Sequence, residues 1–342
     1  MDVYADRLDY LGQSFAGVCL QVLRSEGWDI DVDAADVAGK VSVRGTGQAQ
    51  TVELDLDRLF LKRQDGAGTG DGAGVDPASV PALGGRIGAL RYGGADFGAL
   101  EFSSQRLADG LDFDRLDLRG DYGAISGRGR WTGSAERASS SLDATADFKD
   151  FGAFLARFGV TNLVRGGRGK VQAQVSWPGS PGAFGFASLS GEVSGQLRKG
   201  TLPDLEPGVG RLFGILSLDS VMRRLTLDFR DVFGRGFAID RMDGELRLAA
   251  GDAQLNNLRV RGPAAHLTLN GRTNLVDRSL DVQVLVVPQV TSSLPLAGAI
   301  AAPGVGAAIY LGQKIFEGAI DKATEQHYRV TGTWAEPQID KP

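Results

Sequence analysis

Cysteine and histidine are nearly absent. The 342 residues hold one Cys, Cys19, and two His, His266 and His327. That excludes an intrachain disulfide framework, a Cys2His2 finger and a His-rich zinc site. Cys19 reads as a small hydrophobe rather than a nucleophile, and both histidines read as structural, His327 in a final helix. Proline is scarce, with 12 residues, and no G-X-Y period accompanies the glycines, so the chain is not collagen-like. Positive charge is in deficit, 37 Lys and Arg against 42 Asp and Glu, which argues against a nucleic-acid surface. There is no metal-protease His pair, P-loop or G-x-S-x-G elbow. Gly166-Gly167-Arg168-Gly169-Lys170 lacks the Walker spacing and reads as a turn into the strand Val171–Val175. The carboxylates recur at alternating positions, as a solvated face does, rather than as an acid/base pair. No enzyme, cofactor or metal is expected. The opening MDVYADRLDY has no basic n-region and no apolar h-region, so it is not a signal peptide. It starts in mid-pattern, as the C-terminal part of something longer would.

What is abundant is glycine and alternation. Gly is 49 of 342, about twice the usual ~7%, which fits many short strands and tight turns. Leu54-Asp55-Leu56-Asp57, Leu111-Asp112-Phe113-Asp114, Leu225-Thr226-Leu227-Asp228-Phe229, Leu246-Arg247-Leu248, Leu267-Thr268-Leu269-Asn270 and Leu280-Asp281-Val282-Gln283-Val284 all have period 2. Such strands put apolar side chains on one face of a sheet and polar ones on the other, the antiparallel signature. Asp109-Gly110, Asp243-Gly244 and Asn270-Gly271 read as hairpin turns. A weak internal repeat of strand–turn–strand units suggests a sheet extended by addition. Three segments have helical spacing: Phe148, Phe151, Phe154, Leu155 and Phe158; Val209, Leu212, Phe213 and Leu216; and Ile309, Phe316 and Ile320.

The organisation expected is a β-repeat segment over 1–64, a Gly-rich loop over 65–80, and a second β-repeat segment over 81–176 with a helix near 148–160. A C-terminal region over 177–342 follows, with helices near 205–222 and 294–327. From Val282 to Gln313 there is no charged residue. Pro288, Pro295 and Pro303 break this run, so three readings stay open: a spanning helix, a helix capping an apolar interior, and a membrane-surface hairpin. The one-sided sheet must also cover its apolar face, as a sandwich, a barrel or a trough. A trough would hold acyl chains, with a gain of about 0.8 kcal/mol per buried CH2.

Several segments carry a family resemblance. They are Arg198-Lys199-Gly200-Thr201-Leu202-Pro203, Gly210-Arg211-Leu212-Phe213-Gly214, Gly262-Pro263-Ala264-Ala265, Leu294-Pro295-Leu296-Ala297 and Tyr328-Arg329-Val330-Thr331-Gly332-Thr333-Trp334. Together they resemble the YhdP branch of the AsmA-like envelope proteins, strongly over about 177–342 and more loosely before it. The resemblance implies a bridge-type lipid-transfer protein of Gram-negative bacteria. Such a protein would be periplasmic, anchored in the inner membrane through a segment this chain lacks, and would approach the outer membrane at its C-terminal end. The expected fold is mainly β with helices (α+β): a long twisted antiparallel sheet curled into an apolar groove, with a C-terminal helical cap. Its expected lining is Leu225, Leu227, Phe229, Leu246, Leu248, Leu267, Leu269, Val282, Val284 and Val286. The expected contact with the outer membrane or a partner there is Leu294, Leu296, Ile300, Val305, Ile309, Leu311, Ile315 and Phe316. The expected cargo is phospholipid, with no nucleic-acid partner. At ~4.8 Å per strand, roughly 20 strands would give a track of about 100 Å. The rival reading is a non-enzymatic envelope scaffold or assembly factor for outer-membrane proteins. The helical segments and the final Pro342 argue against an outer-membrane barrel.

Overall fold

The computed structural model describes residues 1–10, 13–62, 75–161, 163–202, 236–289, 325–334 and 336–340. The alternating runs become strands: β1 (Asp2–Tyr10), β2 (Gln13–Arg24), β3 (Trp28–Asp33), β4 (Val37–Arg44), β5 (Thr51–Leu61), β6 (Ala82–Tyr92), β7 (Ala95–Leu107), β8 (Gly110–Gly120) and β9 (Gly123–Thr132). They continue as β10 (Ser139–Phe148), β11 (Arg165–Pro178), β12 (Ser190–Leu202), β13 (Phe237–Ala249), β14 (Asp252–Arg261), β15 (Ala265–Asn274), β16 (Ser279–Pro288), β17 (Gln326–Thr333) and β18 (Pro337–Asp340). Each strand pairs with the next in sequence, so one sheet of 18 strands runs through the described residues. Every pairing is antiparallel except β5 with β6. Those two run the same way, so β6 starts at the end of the sheet where β5 starts. Residues 75–81, which lead into β6, lie on the apolar face, where Pro77 and Val80 are buried and Val80 packs with Leu111 and Trp131.

The expected α+β fold, a sheet curled into a groove with a C-terminal helical cap, is corrected. Of the described residues 72% are strand and 6% helical, in one long uncurled sheet. Among them the one α-helix is α1 (Phe151–Ala156), capped by Asp150, whose carboxylate accepts from the Ala153 N–H at 2.8 Å. The helix near 148–160 is therefore shorter than its aromatic spacing suggested, because Phe148 completes β10. The helices expected near 205–222 and 294–327 lie outside the described residues, except that Gln326 and His327 open β17, a strand. Period 2 over 326–333 outweighs the helical spacing that precedes it.

Two expected hairpin turns are strand interiors instead. Asp243-Gly244 sits at a register shift between β13 and β14, and Asn270-Gly271 lies within β15. The Gly166–Lys170 run likewise belongs to β11 rather than to a turn before it. Glycine serves close approach at these strand positions. Gly271 has φ +142, and a Cβ there would lie 2.3 Å from the Asp281 carbonyl oxygen. Gly85, in the parallel pair, has φ +137, and a Cβ would lie 2.0 Å from the Leu54 oxygen. Neither position admits a side chain without moving backbone.

No single centre holds the molecule together. Five apolar clusters follow one another along one face of the sheet, each built from neighbouring strands and their connections. We expect Gly85→Ala to destabilise the β5–β6 region by about 2 kcal/mol or more, the order for strained backbone positions. Gly185→Ala, where a Cβ meets nothing within 4 Å, should change stability by less than about 0.5 kcal/mol. Urea unfolding with hydrogen exchange at β5 and β6 measures both, and equal effects would contradict the close-approach account.

Candidate functional site

Following the pairing register from strand to strand traces straight rows across the sheet. The central row begins Val22, Ile30, Val41, Leu54, Gly85 on β2 to β6. It continues through Phe102, Leu116, Gly127, Ala144 and Ala173 on β7 to β11. It ends with Val193, Leu246, Leu255, Gly271, Val282, Val330 and Ile339 on β12 to β18. Every position from β2 to β18 is apolar or glycine. A second row, one pleat over, is equally apolar. It includes Leu20, Val32, Leu56, Ile87, Leu100, Leu118, Ile125 and Val171, and reaches Leu269, Val284 and Tyr328. On β15, Ala265, Leu267, Leu269 and Gly271 mark four such rows, about 20 Å from first to last at the strand repeat.

The flanking rows of this face hold buried members such as Val32, Leu56, Ile87, Val260 and Val286, but the central row stays partly open. In the central row only Ala144 (7% exposed), Leu255 (8%) and Val282 (4%) are buried; the other members are partly exposed. The centre of a two-layer sandwich would be buried throughout. The opposite face carries cross-strand charge ladders. Arg86 pairs with Asp55 (2.5 Å), Arg130 with Asp112 (2.7 Å), Arg247 with Glu192 (3.0 Å) and Arg329 with Asp281 (3.0 Å). The Arg44 guanidinium, with help from Ser25 and Ser42, holds the Asp29 carboxyl down to about 2. Asp55 and Asp281 are lowered by Arg86 and Arg329 in the same way.

The sequence-predicted lining residues fall as follows. Leu246 and Val282 stand in the central row, Leu269 and Val284 in the second. Leu267 and Val286 pair with each other in a third row with Val260, and Leu248 lies one pleat to the other side with Ala253. All seven are thus brought onto one face. Leu225, Leu227 and Phe229 lie outside the described residues, as do Leu294, Leu296, Ile300, Val305, Ile309, Leu311, Ile315 and Phe316. The N-terminal half of the central row, Val22 to Leu116, is not among the expected lining, although Leu54 and its alternation are visible in the sequence. The small members Gly85, Gly127, Ala144 and Ala173 carry no hydrophobic signal of their own. Among the described residues no helix is long and apolar enough to cross a membrane, and no group of three or more His, Cys, Asp or Glu could hold a metal ion.

Two connections reach over the apolar face. The one after β10, with α1, lies at the same rim as Tyr92, Phe97 and Tyr122. Tyr122 is fully buried there; its hydroxyl donates to the Phe97 oxygen at 3.0 Å, and burial pushes its pKa up to about 12. Arg157 donates to the Asp96 oxygen and pairs with Asp121. The connection after β11 leaves the opposite rim and carries Phe184 and Phe186 over Trp177 and Val175.

The family model described as "YhdP protein" matches residues 1–339. The chain is 30% identical over 231 residues to the intermembrane phospholipid transporter YhdP of Escherichia coli (strain K12). That alignment covers 67% of this chain and 18% of the relative, so the chain spans less than a fifth of that protein's length. No solved structure matches.

The lowered carboxyls fix the sign of the acid response. A carboxylate held below its unfolded value stabilises the fold above that value and loses the contribution as pH falls through the folded one. For Asp29 the window runs from about 4 down to about 2. Melting temperature is therefore expected to be flat from pH 7 to 5 and to fall between pH 4 and 2. Asp29→Asn should flatten part of that fall, and a variant with an unchanged acid profile would refute the assignment.

Proposed function

Because the chain belongs to the YhdP protein family, we propose that its apolar face, partly open along the central row, carries phospholipid acyl chains from one membrane towards another. The observation that carries this reading is the central row, apolar or glycine at every strand from β2 to β18. The sheet's 18 strands give a track of about 80 Å at the strand spacing. Acyl chains lie on the face while head groups stay in water at the rims. Each buried CH2 gains about 0.8 kcal/mol, so leaving the track for water is costly. Moving one strand along exchanges like contacts for like, and the barrier to sliding is low. The lining comprises Leu246, Leu248, Leu267, Leu269, Val282, Val284 and Val286, together with the N-terminal members of the rows. On this reading the protein works in the cell envelope, between two membranes.

Purified chain is expected to carry phospholipid at stoichiometric or higher ratio, read by mass spectrometry of organic extracts. Leu246→Asp should lower that ratio, because a carboxylate cannot lie under an acyl chain without losing its water. Gln254→Asp, on the charged face beside Arg247 and Arg272, should not. Stripping the lipid should lower the melting temperature, since whatever covers the face stabilises the folded state. A stable chain that holds no lipid would favour the scaffold reading instead.

A further inference from the structure

The two connections that reach over the apolar face meet above it. Phe158, in the connection after α1, lies 5.8 Å from Phe184 and 5.7 Å from Phe186, ring centre to ring centre. Phe158 comes from the rim that holds Tyr92, and Phe184 and Phe186 come from the opposite rim. A hydrogen bond ties the same two sides: the Tyr92 hydroxyl donates to the Gly182 oxygen at 3.1 Å. At its own rim Phe158 is seated against Phe97 (5.4 Å) and Phe154 (5.3 Å), and Phe184 stands edge-on to Trp177 (5.3 Å). The result is an aromatic bridge from rim to rim.

Beneath the bridge the floor changes. Phe102 and Leu116 precede it in the central row and Val193 and Leu246 follow it, but the members between are Gly127, Ala144 and Ala173. Ala173, Phe184 and Phe186 pack against one buried cluster of Val175, Trp177 and Leu189. Small side chains below leave headroom for the rings, and Ala144 is buried where most of its row is not.

We propose that this bridge is a checkpoint on the track: closed, it divides the apolar face into two lipid-holding lengths, and a lipid passes only when Phe158 parts from Phe184 and Phe186. The inference rests on the transport reading above. Parting the bridge breaks ring contacts and the Tyr92–Gly182 bond but no ladder hydrogen bond, because the residues of both connections at the contact lie outside the strands. Opening is therefore a local event of the kind that gates lids and loops, not an unfolding of the sheet. Phe158, Phe184 and Phe186 would set how much lipid cross-section passes at once.

The test incubates the purified chain with phosphatidylethanolamine–phosphatidylglycerol vesicles containing a phospholipid with a diazirine in its acyl chain, and maps adducts after illumination. Adducts are expected on both lengths, for example at Leu54 and Leu269, with a gap at Ala144 and Ala173. In Phe158→Ala/Phe184→Ala/Phe186→Ala the gap should fill, and in Tyr92→Phe it should fill in part. Adducts running unbroken through Ala144 and Ala173 in the parent would overturn the checkpoint, and that result needs no variant to fold. So would a gap that persists in a triple variant whose strand content is intact by circular dichroism. A parent with no adducts anywhere would instead sink the transport reading, and the checkpoint with it.

Discussion

Register is the constraint on which everything else depends. Successive side chains in a strand face opposite ways, so a slip of one residue in any pairing would exchange the two faces of that strand. In β5 it would turn Asp55 and Asp57 onto the apolar face and put Leu54 and Leu56 among the charges. With so many strands in series, one slip would also interrupt the apolar rows for all that lie beyond it. The bulges serve this constraint. On β8, Leu111 and Phe113 precede Leu116 and Leu118 with a three-residue step between the runs, and the register shifts between Phe113 and Leu116. The extra residue lets both runs face the same way. Ile87 with Leu90 on β6, and Leu255 with Leu258 on β14, repeat the device.

The charged face specifies more than it stabilises. Its ion pairs are mostly solvent-exposed, as Arg86 and Asp55 are at 72% and 57%, and such pairs contribute about 0–1 kcal/mol each. What they do is make the wrong register worse. Like charges would meet across strands, and carboxylates would fall on the apolar side. The apolar face likewise forgoes part of its own burial. A buried Leu or Val is worth about 1.5–3 kcal/mol, and most of the central row obtains only a fraction of that. A fold that leaves so much apolar surface partly wet gains from whatever lies on it.

The strands and the sidedness of the sheet were legible because period 2 is a local signal: β5, β8, β13, β15 and β16 can be read from their Leu–Asp and Val–Gln alternation alone. The positions of glycine were harder. Asn270-Gly271 has the composition of a hairpin turn, and only the approach of the Asp281 backbone explains why it is a strand interior. His327 followed a helical pattern yet belongs to β17. Of the apolar rows, the C-terminal members from Leu246 to Val286 stand out in the sequence by their alternation and the N-terminal ones less so. The difference lies in the small residues: Gly85, Gly127 and Ala144 look like breaks in a hydrophobic pattern, and only the register shows that they continue a row. The aromatic bridge was not legible at all. Phe158 was visible as one turn of a helix, but its partners Phe184 and Phe186 come from another connection and another rim, and no spacing within the chain relates them.

An apolar face favours polar side chains that are hydrogen-bonded, since an unsatisfied group there costs more than a missing methyl. Three hydroxyls at one edge of this side are turned back on the protein. Ser104 donates to the Leu83 oxygen and accepts from the Leu83 N–H, both at 2.8 Å. Buried Ser140 donates to the Gly179 oxygen at 2.9 Å. Thr273 donates to the Ser279 oxygen and accepts from the Trp334 indole at 2.7 Å. All three stand near one rim, where the apolar rows end and the connections begin. Between them and the opposite rim the central row is apolar or glycine throughout, so these self-satisfied hydroxyls mark where the flank of that row turns polar. That is a more exact boundary than hydrophobicity gives, because it marks where the side chains stop relying on an apolar neighbour and start relying on the backbone.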